Sequence, residues 1–294
     1  MHFRKYLSSF GLLAGASLMF GGCLAQDPDS SGQASEGKSN TMATAAIIAP
    51  GTETWTWNKK NVIALGNDIG CATLAAGKVW ITGRTTGGSA SWLQKWDGNL
   101  AFTKSLGTAS DVDVGADGRA WFISGGLIYQ VSADGKTAFP RGNGNDIGVG
   151  ANGSVYKIGT NPVGTGADYG VWKYNAGNDS WTAMNGGGVR IDVDPTGKAW
   201  IVNSLGDIWK MKDVGTSFDQ VTGIKARDIS IGGAMGSIYA VSNEPYGTSG
   251  DFKLYHMVGT NTWKVTNGGG VRVSVDYTNK PWLVIKNGAV YQAK

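Results

Sequence analysis

The sequence predicts an all-β fold: a six-bladed β-propeller with four-stranded antiparallel blades. Three observations lead to this prediction. Glycine is abundant, at 47 of 294 residues, while charged residues make up only 16% of the chain and aromatic residues 10%. Short alternating apolar runs are separated by glycine-containing turns, which is the pattern of strands and hairpins. Similar segments recur about every 40 residues, the period of a propeller blade.

Each of the six repeats begins with an alternating strand, continues through a glycine-containing turn and reaches a second strand with one anchor aromatic residue. The clearest copies are 111–121 and 190–200. Because every blade must bury a large side chain at the same place, we expect the anchors to lie between blades. The anchors are Trp80, Trp121, Tyr156, Trp200, Tyr239 and Trp282, spaced by 41, 35, 44, 39 and 43 residues.

A third strand in each repeat carries an apolar–aromatic pair, and a fourth carries one further aromatic residue. The third-strand pairs are Ile128-Tyr129, Val171-Trp172, Ile208-Trp209, Leu254-Tyr255 and Val290-Tyr291, with Leu93-Gln94 as the exception. The predicted fourth-strand aromatics are Phe102, Phe139, Trp181, Phe218 and Trp263.

The ends of the chain predict how the ring closes. The sixth repeat stops at Lys294 after its third strand, while 54–57 (Thr-Trp-Thr-Trp) precedes the first repeat. We expect this N-terminal strand to complete the last blade and so remove an open sheet edge. The propeller is therefore assigned to residues 53–294.

A longer period of two blades is also visible. The connection between second and third strands is long in repeats one, three and five, at 83–91, 159–168 and 242–251. The run Asn-Gly-Gly-Gly-Val-Arg at 185–190 recurs at 267–272. A pair of blades is predicted to be the unit that was duplicated.

Residues 1–22 are predicted to be a signal peptide of the lipoprotein type. Arg4 and Lys5 precede the apolar run 7–20, and Cys23 follows two glycines, so Cys23 is the predicted lipidation site. This predicts an exported protein held by a lipid anchor at the outer membrane or cell surface. Ordinary cleavage after Ala25 is the alternative, and it predicts a soluble periplasmic or secreted protein. Residues 23–52 are polar and small, typical of a flexible tether.

The composition disfavours catalysis and metal chemistry. Without residues 1–22 the only histidine is His256, so the sequence has no His/Cys cluster for zinc. A Ser-His-Asp arrangement would have to use His256, which is expected to be an ordinary strand residue facing a neighbouring blade or solvent. We therefore expect a non-enzyme without cofactor or metal. Losing Arg4 and Lys5 lowers the net charge from +4 to +2, too small to indicate nucleic acid as a partner.

One face of the predicted ring gathers the candidate binding residues. The start of each first strand and the connection between second and third strands share that face in a propeller. The residues placed there are Asn67, Asp68, Asp111, Asn145, Asp146, Arg190, Arg227, Asp228 and Arg272. Polar groups beside aromatic rings suit sugars, and the outer-strand residues Trp55, Trp181 and Trp263 are further candidates. The alternative is that Asp and Arg pair across blades and hold the ring together.

The repeats resemble the tectonin repeat, a family of β-propellers that includes fish-egg lectins and tachylectin-like lectins of horseshoe crabs. The shared features are a glycine-rich entry, Asp or Arg before Ile or Val, an anchor Trp or Tyr, and a later segment such as Gly206-Asp207-Ile208-Trp209. The resemblance covers 53–294. It implies a non-catalytic lectin whose partners are glycans or lipopolysaccharide. Other members resemble scaffolds, so the alternative is a protein–protein interaction platform that binds another envelope protein.

Overall fold

The computed structural model describes residues 51–60, 64–85, 88–96, 98 and 101–294, and these form six four-stranded antiparallel sheets. The sheets are arranged as the blades of a β-propeller, which confirms the predicted fold class. The predicted signal peptide at 1–22, Cys23 and the tether as far as residue 50 lie outside the described residues.

The strands follow one another in chain order within each blade, except that the first strand of the chain belongs to the last blade. That strand is β1 (Trp57–Lys59). Blade 1 contains β2 (Ala64–Cys71), β3 (Val79–Thr85), β4 (Trp92–Trp96) and β5 (Phe102–Thr108). Blade 2 contains β6 (Asp111–Val114), β7 (Ala120–Ser124), β8 (Leu127–Val131) and β9 (Ala138–Asn143). Blade 3 contains β10 (Asp146–Val149), β11 (Val155–Pro162), β12 (Tyr169–Asn175) and β13 (Ser180–Gly188).

The second half of the ring repeats this order. Blade 4 contains β14 (Arg190–Val193), β15 (Ala199–Val202), β16 (Ile208–Met211) and β17 (Phe218–Val221). Blade 5 contains β18 (Ala226–Gly232), β19 (Ser237–Tyr246), β20 (Asp251–Gly259) and β21 (Thr262–Gly270). Blade 6 contains β22 (Arg272–Val275), β23 (Pro281–Val284), β24 (Val290–Ala293) and β1.

The hydrophobic core lies between neighbouring blades. Side chains alternate along a strand, so each innermost strand sends every second residue into this core. In β14, for example, Ile191 and Val193 pack with Tyr156 and Ile158 of blade 3. The six anchor aromatics are all buried, with at most 4% of their surface exposed, as their repeated position predicts.

The N-terminal segment closes the ring as predicted, but its strand begins later than expected. β1 pairs antiparallel with β24, and Trp57 lies opposite Ala293. Residues before β1 bind blade 5 instead: Glu53 forms a parallel bridge with Thr266, and the Trp55 N–H donates to Asn267 Oδ1 at 2.8 Å. The segment therefore joins blade 5 to blade 6 as well as completing blade 6.

The pairing of the fourth strands corrects the position of Trp55 and refines that of Phe139, which lies on β9 as predicted. Trp57 rather than Trp55 occupies the position of Trp181 and Trp263. All three lie opposite the residue two places after the third-strand apolar–aromatic pair, namely Ala293, Tyr174 and Met257. In blade 2 this position belongs to Ala138, which lies opposite Val131, while Phe139 is 48% exposed. A one-residue shift along a strand moves a side chain to the other face of the sheet.

The connections predicted to be long in blades 3 and 5 are largely extended hairpins. β11 continues to Pro162 and β19 to Tyr246, each beyond an irregularity in its pairing with the third strand. The glycine triplets let these hairpins lie close to the fourth strand. A Cβ atom on Gly187 would overlap Val163, and one on Gly269 would overlap Tyr246.

Replacing Trp57 with alanine is expected to destabilise the whole ring. Trp57 is 4% exposed, its Nε1 donates to Asn267 Oδ1 at 3.2 Å, and it packs against Gly268 of blade 5. Loss of a buried aromatic of this size costs about 3–5 kcal/mol. Chemical denaturation measures the change in unfolding free energy, with circular dichroism as a signal that does not rely on tryptophan fluorescence.

The matched control is Phe139→Ala, which removes an exposed aromatic from the fourth strand of blade 2. We expect this control to change the unfolding free energy by less than about 1 kcal/mol. Equal effects of the two substitutions would show that β1 does not hold the ring closed.

Candidate ligand-binding funnel at the propeller axis

Six residues at one equivalent position of the innermost strands form a charged ring around the axis. The ring, called here the upper ring, consists of Asp68, Asp111, Asp146, Arg190, Asp228 and Arg272. Its aspartates are 4–7% exposed. Each carboxylate accepts a hydrogen bond from a backbone N–H of the next blade. The donors are Val112 to Asp68 (2.8 Å), Ile147 to Asp111 (3.2 Å), Ile191 to Asp146 (2.6 Å) and Val273 to Asp228 (2.8 Å).

Arg190 lies among three of these carboxylates. Its Nη1 is 2.9 Å from Asp146 Oδ1 and 3.7 Å from Asp111 Oδ1, and its Nε is 3.8 Å from Asp228 Oδ1. Burial raises the pKa of Asp111, Asp146 and Asp228, and the guanidinium partly opposes that rise. Because removal of one partner leaves buried charges uncompensated, Arg190 is part of what holds the ring together.

The residues two places further along the same strands form a second ring below the first. This lower ring consists of Gly70, Asp113, Gly148, Asp192, Ser230 and Ser274. Its four polar side chains also accept backbone N–H groups of the next blade. The donors are Val149 to Asp113 (2.6 Å), Ile231 to Asp192 (2.6 Å), Val275 to Ser230 (3.1 Å) and Cys71 to Ser274 (2.9 Å).

The two rings complement one another at the blade boundaries. Where the upper ring has arginine, at Arg190 and Arg272, the hydrogen bond from the backbone N–H of the next blade is accepted by the lower ring, through Asp192 and Ser274. Where the lower ring has glycine, the aspartate of the upper ring accepts the hydrogen bond from the next blade. A Cβ atom on Gly70 would lie 2.7 Å from Cα of Asp113, so the strands approach too closely there for a side chain. Every boundary between blades is therefore bonded at the axis at least once.

Above the upper ring the axis widens into an open funnel of about 760 Å³. Of the residues predicted for this face, five line it: Asn67, Asn145, Arg190, Arg227 and Arg272. The predicted aspartates do not; Asp68, Asp111, Asp146 and Asp228 line a much narrower space beneath. For these aspartates and Arg190, pairing across blades is the arrangement that the structure shows.

Lys286, Asn243 and Phe252 also line the funnel, although the sequence prediction did not name them. All three belong to connections between second and third strands or to the residues next to them, the segments assigned to this face. The sequence does not show the direction in which each hairpin extends, and that direction decides which of its residues line the funnel.

The extended hairpins fix the rim of the funnel. Asp168, at the end of the blade 3 hairpin, accepts the Ser204 N–H of blade 4 at 2.6 Å. Asp251, at the equivalent place in blade 5, accepts the Lys286 N–H of blade 6 at 2.6 Å. The same bond thus recurs two blades apart, in agreement with the two-blade period, and it holds the turn that carries Lys286.

The three tryptophans predicted as stacking surfaces are half-buried and packed between blades. Trp181 Nε1 donates to the Arg141 carbonyl of blade 2 at 2.6 Å, and Trp263 Nε1 donates to the Thr222 carbonyl of blade 4 at 3.0 Å. Trp55 packs against the cluster between blades 5 and 6. They are distributed around the outside of the ring, so the structure does not bring them together with the funnel residues.

His256, the only described histidine, lies on β20 away from the funnel. Its Nδ1 is 2.7 Å from Glu53 Oε2, and its ring stacks on Tyr239 with centroids 4.3 Å apart. Within the described ranges there is no group of three or more His, Cys, Asp or Glu residues placed to hold a metal ion. That part of the chain also has no helix long and apolar enough to cross a membrane.

The lower ring makes stability depend on pH. Burial raises the pKa of Asp192 to about 7, and burial together with Asp192 raises that of Asp113. Since the folded carboxyls hold protons at pH values where the unfolded chain has lost them, the unfolding free energy falls as pH rises from about 4 to about 7. In Asp192→Asn this loss is expected to shrink by about 1–3 kcal/mol.

Denaturation midpoints of wild type and variant at pH 4.5 and pH 8 measure this difference. Asp219→Asn is the control, because the Asp219 side chain is 71% exposed. An Asp192→Asn profile parallel to that of the wild type would refute a buried titrating carboxyl at this position.

Comparison with known proteins supports the β-propeller fold. No protein-family model matches the chain, and no curated protein sequence matches it significantly. Among solved structures it is similar to a gluconolactonase from Xanthomonas campestris, with TM-score 0.55 and 13% identity over 81% of this chain and 89% of that one.

Two similar structures are auxiliary nutrient-binding proteins. The one from Bacteroides thetaiotaomicron has TM-score 0.51 and 13% identity, covering 79% of this chain and 69% of that one. The one from Bacteroides ovatus has TM-score 0.51 and 12% identity, covering 81% of this chain and 73% of that one. At these identities the likeness establishes that the chain is a β-propeller.

Proposed function

We propose that this protein is a non-catalytic, lectin-like protein that binds carbohydrate or lipopolysaccharide through the axial funnel. The observation that carries the proposal is the funnel itself: a space of about 760 Å³ where polar side chains that the fold does not use converge. Asn145 and Asn243 are exposed there, and their side chains make no hydrogen bond to the described residues. Amide groups both donate and accept, as sugar hydroxyls require.

Two further points support binding rather than catalysis. The described wall of the funnel contains no carboxylate and no histidine, whereas glycoside hydrolysis uses a pair of carboxylates. The resemblance of the repeats to tectonins agrees with a lectin role. The fold serves auxiliary nutrient-binding proteins in Bacteroides and also a gluconolactonase, so it is the funnel's residues that favour binding here.

Blocking the funnel is the test of this function. Asn145→Trp or Asn243→Trp places a bulky neutral side chain in the mouth, and we expect binding on a glycan array to fall by about tenfold or more. Ala133→Trp, in an exposed turn between β8 and β9 on the opposite face, is the matched control. Arg190→Ala is unsuitable, since it strips the buried aspartates of their cation.

If the wild-type protein binds no glycan on the array, this result would argue against a lectin function. If a specific envelope protein then co-purified with the wild type and was lost with Asn243→Trp, the interaction platform would replace carbohydrate binding as the function. Glycan binding that the funnel substitutions leave unchanged would place the site elsewhere on the ring.

We also propose export and lipid anchoring through Cys23, which would hold the protein at the outer membrane or cell surface. The support comes from the sequence of residues 1–23. Metabolic labelling with palmitate is expected in the wild type and in Cys71→Ala, because Cys71 is buried, and it should vanish in Cys23→Ala. Label that persists in Cys23→Ala would exclude this anchor.

A further inference from the structure

We propose that the funnel recognises an acidic group on its ligand, a carboxylate or phosphate borne by a saccharide, through Arg227, Arg272 and Lys286. The inference rests on the proposed function and specifies its ligand class. It starts from the charges on the wall. The lining residues include four cations, the three just named and Arg190, and no carboxylate.

Arg227 and Lys286 are cations without an anion. Both are exposed, and neither forms an ion pair with any described residue. Elsewhere on the surface, basic side chains do pair, as Arg141 does with Asp179 and Lys253 with Glu244. Arg227 and Lys286 are therefore available to a ligand in a way that those paired surface cations are not.

Arg272 differs from Arg190 although both occupy the upper ring. Arg190 contacts three carboxylates, whereas Arg272 approaches one, with Nε 3.4 Å from Asp68 Oδ1. The Nε atom of Arg272 is buried without a hydrogen bond, and Nη1 donates to the Val271 carbonyl at 2.8 Å. Arg190 is held by three carboxylates of the ring, whereas Arg272 lines the funnel with one carboxylate nearby and fewer partners.

The aromatic residue of the wall also points to an acidic ligand. Phe252 is the only aromatic among the described lining residues, and the Arg227 guanidinium covers its ring, 3.8 Å from the centroid. A sugar therefore finds no open ring to stack on. It finds instead the Arg227 guanidinium over that ring, and a guanidinium can bind a carboxylate or phosphate in a bidentate manner.

Matched pairs of probes test the charge directly. Oligogalacturonate is compared with its methyl ester, and a mannose trisaccharide 6-phosphate with its dephosphorylated parent; citrate serves as an acidic probe that is not a saccharide. Binding is measured by calorimetry at low and high salt with the mature protein, with Arg227→Gln and Lys286→Gln. Lys136→Gln, in the exposed turn on the opposite face, removes the same charge outside the funnel.

We expect an acidic saccharide to bind at least about tenfold more tightly than its neutral partner. Arg227→Gln and Lys286→Gln should each remove much of that difference, higher salt should reduce it, and Lys136→Gln should not. Which pair responds separates the carboxylate from the phosphate.

Equal binding of acidic and neutral partners would overturn the inference and leave carbohydrate binding standing. Citrate binding that depends on Arg227 and Lys286, without binding of either saccharide pair, would support the anion site and overturn the saccharide as its carrier. The array result would then decide the lectin function. Failure of all five probes would overturn the inference, and the array result would then decide the proposed function alone.

Discussion

Hydrogen bonds at the axis, donated by backbone N–H groups of one blade to side-chain oxygens of the preceding blade, are the constraint on which the rest of this structure depends. The apolar packing between neighbouring blades is non-directional. The bonds to Asp68, Asp146, Asp192 and their counterparts fix the angle and height of each blade relative to the next. A carboxylate that accepts a backbone N–H is a strong, directional acceptor, and burial makes its loss costly.

The same constraint separates residues that hold the ring from residues that face a ligand. Four aspartates and Arg190 satisfy one another and the backbone within the narrow part of the axis. Arg227, Arg272 and Lys286 lie above them with few partners or none. Because the carboxylates are turned toward backbone donors below, the wall above them is left basic although the chain carries nearly equal numbers of acids and bases.

Much of the fold could be predicted from the sequence, because blade period and strand alternation are local patterns. The anchor aromatics, the strand order and the closure by the N-terminal strand follow from them. The differences are local: Phe139 lies on β9 as predicted, but Ala138 holds the position between blades, and the closing strand begins at Trp57 and so leaves out Trp55. For the candidate site, the sequence placed Arg227 and Arg272 on the correct face. It could not tell that Asp111 or Asp228 turn inward, since alternation does not distinguish the axis from solvent.

The attachment of Glu53 and Trp57 to different blades has a mechanical consequence. A pull on the chain at residue 51 acts first on the bonds from Glu53 to Val265 and Asn267, which belong to blade 5. Only after these yield does the load reach the pairing of Trp57 with Ala293 in blade 6, near the bond from the Lys294 N–H to the Thr56 carbonyl. The attachment of Glu53 to blade 5 thus protects the outermost strand of blade 6 from being peeled away when the N-terminal segment is pulled.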